Sequence, residues 1–68
     1  MKTTVTNELK TYRVLADMTQ EALATKVGVS RQTINAIEKG KYLPSLDLAL
    51  KLGRIFNVPI ETLFRLET

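Results

Sequence analysis

The 68-residue chain contains no cysteine and no histidine. Without cysteine there can be no disulfide, and without either residue the usual ligands of a zinc site are missing. The same absences remove most nucleophile–base pairs, so neither an enzyme nor a cofactor is expected. Long apolar runs are absent too. The longest uncharged stretches, Gln32–Ile37 and Ile55–Ile60, are six residues each, far short of a membrane span. The opening Met-Lys-Thr-Thr-Val-Thr-Asn lacks the apolar stretch of a secretory signal. The expectation is a cytoplasmic protein with no membrane partner.

The length allows one small domain, residues 1–68. A chain this short buries only about 60% of its unfolded surface, so at this size a disulfide, a metal or a partner chain usually supplies part of the stability. With the first two excluded, economical helix packing, association with a second copy, or both remain. What is present suits a globular protein: 44% hydrophobic and 25% charged residues. The net charge of +3 is unevenly spread. From Met1 to Thr25 the charges cancel, and from Lys26 to Arg54 six basic residues face two acidic ones, giving +4. The tail from Ile55 carries −1. Positive charge concentrated at the centre is what a polyanion-binding surface needs, although a merely solvated surface has the same composition.

Helical signals dominate the pattern. Asn7 can cap a first helix over Glu8–Ala16, with Leu9, Tyr12, Leu15 and Ala16 on one face. Thr19 caps a second, Gln20–Val27, that buries Leu23, Ala24 and Val27, and Gly28 stands where a left-handed residue ends a helix. Ser30 caps a third, Arg31–Lys39, with Ile34 and Ile37 inward, and Gly40 closes it. Ser45 opens a fourth, Leu46–Phe56, whose expected inner face is Leu46, Ala49, Leu50, Gly53 and Phe56. Pro59 suits the first turn of a short fifth helix reaching about Phe64. The flanks Thr3–Thr6 and Phe64–Thr68 are β-prone, and either pair as a ribbon joining the chain ends or fray.

Between the second and third helices stand only Gly28-Val29-Ser30, the short glycine-containing connection of a helix-turn-helix. Leu23, Val27, Val29, Ile34 and Ile37 would line the inside of this corner. Ala24 is small where the helices cross, and Gly28 supplies the positive φ of the turn. These residues, with Thr19-Gln20-Glu21-Ala22-Leu23-Ala24, Ser30-Arg31-Gln32-Thr33-Ile34, Ile37-Glu38-Lys39-Gly40-Lys41 and Pro44-Ser45-Leu46, resemble the Xre/Cro-type repressors of bacteria and phages. The likeness runs from about Leu9 to Phe64, and is greatest to the small stand-alone dimeric regulators. It implies an all-α fold, a five-helix lambda-repressor-like domain with the helix-turn-helix over 20–39. In the nearest relatives a two-stranded ribbon is made from the chain ends.

The resemblance also implies roles. The helix opening at Ser30 would lie in the major groove of double-stranded DNA. Arg31 and Gln32 would read bases, and Asn35 is used variably: an arginine fork matches guanine, and Gln or Asn matches adenine. Gln20 would clamp a phosphate at the start of the preceding helix, and Thr33, Lys39, Lys41 and Tyr42 would hold the backbone on the other side. Arg13 and Glu38 would form a partly buried ion pair with a structural role. The apolar surplus of the last third, about 55–68, is assigned to a homodimer interface with Ile60, Phe64 and Leu66 as preferred contacts. The function implied is a homodimeric repressor of an inverted-repeat operator. The alternatives are an antitoxin-type protein that autoregulates and also binds a partner protein, and an interaction module that has kept the fold without binding DNA.

Overall fold

The computed structural model describes residues 4–67. Among them, five helices are enclosed by two strands: β1 Thr4–Asn7, α1 Leu9–Leu15, α2 Gln20–Val27, α3 Arg31–Glu38, α4 Leu46–Phe56, α5 Ile60–Leu63 and β2 Phe64–Glu67. Thr3 and Thr68, part of the ribbon expected from the sequence, lie outside the described residues. No described helix is long and apolar enough to cross a membrane.

Local chemistry sets the ends of α2 and α3. The Thr19 hydroxyl accepts from the Ala22 N–H at 3.0 Å, and the Ser30 hydroxyl accepts from the Thr33 N–H at 3.1 Å. Each satisfies a donor that the first helical turn leaves free. Gly28 ends α2 at φ 76°, and the following Val29 N–H reaches back to the Ala24 carbonyl at 3.0 Å. That left-handed residue lets the chain turn from α2 into α3 within three residues.

The core is a single cluster to which every helix contributes. Leu9, Leu23, Ile34, Ile37, Leu52 and Leu63 are all fully buried. Tyr12 and Phe56 join α1 to α4 with ring centroids 6.1 Å apart and planes tilted by 50°, a geometry that aromatic quadrupoles favour.

The ribbon forms, antiparallel, pairing Val5 with Leu66 and Asn7 with Phe64. The Glu8 N–H extends the contact to the Leu63 carbonyl at 2.9 Å. Asn7 ends β1. Glu8, one residue later than expected, takes the N-cap position of α1 and makes no side-chain cap bond; the Asn7 Oδ1 accepts from the Leu9 N–H at 3.1 Å, and its Nδ2 donates to the Ile37 carbonyl at 2.8 Å. One amide thus ties the ribbon, the start of α1 and the last turn of α3.

Several expectations need correction. In α1, Leu15 and Ala16 are exposed, and the inward side is Leu9, Tyr12 and Arg13. Asp17 turns the chain at φ 59° straight after α1, which leaves Ala16 beyond the helix, and Leu15 stands about 120° around the helix from Leu9, off the inward side. In α4 the inward stripe is Leu48, Ala49, Leu52 and Gly53, whereas Leu46 and Leu50 face outward. Leucines at 46, 48, 50 and 52 make both sides apolar, so spacing cannot choose between them. Packing chooses: Leu48 and Leu52 join the cluster that Leu23, Ile34 and Leu63 bring from the other helices, while Gly53, common to both faces, lets the chain before α5 approach, a Cβ there standing 2.9 Å from the Val58 carbonyl oxygen. Ser45 precedes α4 but makes no cap bond; its hydroxyl donates to Asp47 at 2.6 Å. That bond, first among several causes, holds the Asp47 carboxyl below its ordinary value. Finally, α3 stops at Glu38, and α5 starts after Pro59 and is only four residues long.

Candidate nucleic-acid interface

The corner of α2 and α3 offers one side of α3 to solvent. Ile34 and Ile37 anchor the inner side of α3 in the core. Arg31 and Gln32 on its first turn are exposed, and Asn35 is half-buried. Arg31 and Asn35 are four residues apart and so lie one above the other on the helix surface. Thr33 is half-buried, its hydroxyl 2.9 Å from that of Ser30. Its side chain therefore reinforces the start of the helix.

Beyond α3 the chain reverses. Gly40 adopts φ 73°, and the Lys41 N–H bonds to the Ala36 carbonyl at 2.9 Å. This folds the loop over the end of α3 and leaves Lys39, Lys41 and Tyr42 exposed beside it. At the other end Gln20, the first residue of α2, is half-buried against α3.

Beneath this surface runs a polar network that joins three helices. Arg13 Nε donates to Glu38 Oε2 at 2.7 Å, its Nη2 to Oε1 at 3.3 Å, and its Nη1 to the Met18 carbonyl at 2.8 Å. The side chains of Arg13 and Glu38 are 11% and 5% exposed. Glu38 Oε1 also accepts from Gln20 Nε2 at 3.0 Å, and Asn35 Nδ2 stands 3.5 Å from Gln20 Oε1. Among the described residues no buried side-chain nitrogen or oxygen lacks a partner, as the cost of desolvation requires.

The ion pair changes the local electrostatics. Glu38 is the only acidic residue between Lys26 and Lys41. It is buried and neutralised by Arg13, which comes from outside that segment. The charges left at the surface there, Lys26, Arg31, Lys39 and Lys41, are all positive and exposed. A segment of this kind attracts a polyanion. The Gln20–Glu38 bond and the Asn7 clamp on α3 went unread in the sequence. The partners are 18 and 30 residues apart, and no local pattern marks such a pair.

A second feature lies on the ribbon side. Ile60 and Phe64 are half-buried and line, with Val5, Leu43, Pro44 and Leu46, an open apolar cleft of about 310 Å³. Leu66 is 68% exposed nearby, paired with Val5 across the ribbon. Leu46 and Leu50 add further uncovered apolar surface.

Comparison with known proteins gives a consistent result. The family model described as Helix-turn-helix matches residues 9–63. An uncharacterized HTH-type transcriptional regulator of Methanocaldococcus jannaschii is 64% identical over 85% of this chain and 88% of its own. The cryptic phage CTXphi transcriptional repressor RstR of Vibrio cholerae is 37% identical over 84% of this chain and 51% of its own. Among solved structures, the restriction-modification controller protein C.AhdI from Aeromonas hydrophila superposes with a TM-score of 0.72 at 28% identity, covering 79% of this chain and 78% of that one.

Proposed function

The chain belongs to the helix-turn-helix family of transcriptional regulators, and we propose that it acts as a homodimeric repressor reading an inverted-repeat operator. The observation that carries this reading is the outer side of α3. Arg31 and Gln32 are uncovered at the start of a helix whose inner side is locked into the core, and the exposed charges from Lys26 to Lys41 are all positive.

In this reading α3 enters the major groove with its N-terminal turn foremost. Arg31 offers two parallel N–H groups to guanine O6 and N7, and Gln32 and Asn35 match the adenine edge. Gln20 and the free N–H groups at the start of α2 hold one phosphate strand, with Thr33, Lys39, Lys41 and Tyr42 on the other side. Arg13 and Glu38 touch no DNA and fix the angle between α1 and α3. A second copy docks through Ile60, Phe64 and Leu66, where the apolar cleft and the exposed leucines lie. Two linked modules read half-sites about 34 Å apart, and each raises the effective concentration of the other. Repression as the outcome is supported by the kinship to the phage repressor.

Selection of bound sequences from a random duplex pool tests the reading directly. The expected result is an enriched inverted repeat with half-sites one helical turn apart. Affinity should fall by about 10³–10⁵ between about 50 and 200 mM salt if six to ten phosphates are contacted, as counterion release requires. A pool that returns no enriched sequence refutes the reading.

A further inference from the structure

We propose that Glu38 is a positioning residue for base recognition, deciding through Gln20 which edge of the Asn35 amide faces the groove. The proposal rests on the reading of α3 as the DNA-reading helix. It gives a buried residue, otherwise purely structural, a part in specificity.

The argument is one of donors and acceptors. Glu38 is held by two N–H groups of the Arg13 guanidinium, and a carboxylate so paired can only accept. Gln20 must therefore turn its NH₂ group toward Glu38, as the 3.0 Å contact shows. The opposite end of the Gln20 amide, Oε1, then points to Asn35. An oxygen accepts, so Asn35 meets it with Nδ2, at 3.5 Å, the outer limit of a hydrogen bond.

The consequence lies on the far side of Asn35. With one N–H directed to Gln20, the side chain keeps its Oδ1 and its other N–H for the groove. One acceptor beside one donor is the complement of adenine, which shows N7 and the N6 amino group there. Were Gln20 reversed, its NH₂ would face Asn35 and draw the Oδ1 inward. Only donors would then point outward, and two acceptors, as on guanine, would be preferred. The charge on Glu38 thus excludes the guanine-selecting arrangement without any contact to DNA.

The experiment compares base-preference profiles of the full chain and three variants from a random duplex pool, with melting followed by circular dichroism. Asn35→Ala identifies the base pair that Asn35 reads, and the wild-type chain is expected to prefer adenine there. Glu38→Gln lets the Gln20 amide turn either way. Gln20→Met removes the relay and leaves the Arg13–Glu38 pair in place, so its fold does not depend on the pair being broken. Both should lose about tenfold of the adenine-over-guanine discrimination at that one base pair, the scale of a single bidentate contact, with the preferences at the other positions unchanged; Gln20→Met should in addition weaken binding to every sequence alike, because Gln20 also holds a phosphate in the proposed complex. Weaker binding to every sequence with the profile intact would mean that Glu38 is structural only and would overturn the proposal. So would a profile unaltered by Asn35→Ala. A wild-type chain that selects no sequence refutes instead the DNA-reading role on which the proposal stands.

Discussion

Replacing Arg13 by alanine is expected to remove most of the stability of this small domain. The guanidinium makes two bonds to Glu38 and one to the Met18 carbonyl, and the carboxylate it leaves behind is only 5% exposed. Gln20 would be its remaining partner, a neutral donor against a full charge. Breaking a buried pair by deleting one member costs about 3–5 kcal/mol. A domain of this length has about 3–10 kcal/mol in total. The corresponding fall in Tm is about 12–40 °C, at about 4–8 °C per kcal/mol. Thermal and urea unfolding followed by circular dichroism measure it. The double substitution Arg13→Met with Glu38→Leu should recover most of the loss, because well-packed apolar residues commonly replace a buried pair at no net cost. The recovered protein would lack the carboxylate that orients Gln20, and should therefore regain its fold without regaining the wild-type base preference. A loss below about 1 kcal/mol in Arg13→Ala, the range of a surface pair, would refute the reasoning. An unchanged melting curve with lost DNA binding would refute it from the other side.

Four further outcomes are expected. Arg31→Ala should cost about 1–3 kcal/mol and relax one base pair per half-site, whereas Lys41→Ala should weaken all sequences alike and lower the salt slope by about 1; competition binding at several salt concentrations separates the two. Gly53→Ala places a methyl group 2.9 Å from the Val58 carbonyl oxygen and should destabilise by about 1–3 kcal/mol through overpacking. Gly28→Ala meets no atom within 4 Å, and should lose only about 1–2 kcal/mol, from its left-handed φ of 76°. Leu66→Lys should shift sedimentation equilibrium toward monomer. A two-fold interface counts the lost side chain twice, about 3–6 kcal/mol in all, and an unaltered monomer–dimer equilibrium would remove Leu66 from the interface.

Where local chemistry is sufficient, the sequence by itself determined the structure. Thr19, Gly28 and Ser30 set the ends of α2 and the start of α3 because a hydroxyl cap and a left-handed glycine act within four residues of their partners. Leu23, Ala24, Val27, Ile34 and Ile37 were legible as core because one face of each helix is apolar and the other is not. Arg31 and Gln32 stood out for the same reason, as the polar side of a helix whose other side had to be buried. The lack of cysteine and histidine excluded a disulfide and the usual zinc ligands.

Tertiary structure decided what depends on partners distant in the chain. Leucines on both sides of α4 left its rotation open, and the packing of Leu48 and Leu52 into the cluster shared with the other helices settled it, leaving Leu46 and Leu50 outward. Asn7 was read as the cap of α1, a position that Glu8 takes, and its bond to Ile37 was not legible, since nothing local relates residues 30 apart. The polar network is the clearest case. Arg13, Gln20, Asn35 and Glu38 come from three helices, and the order in which each donates to the next exists only once those helices pack. A side chain's type is written in the sequence; the direction in which its amide points is set by the charge packed against it.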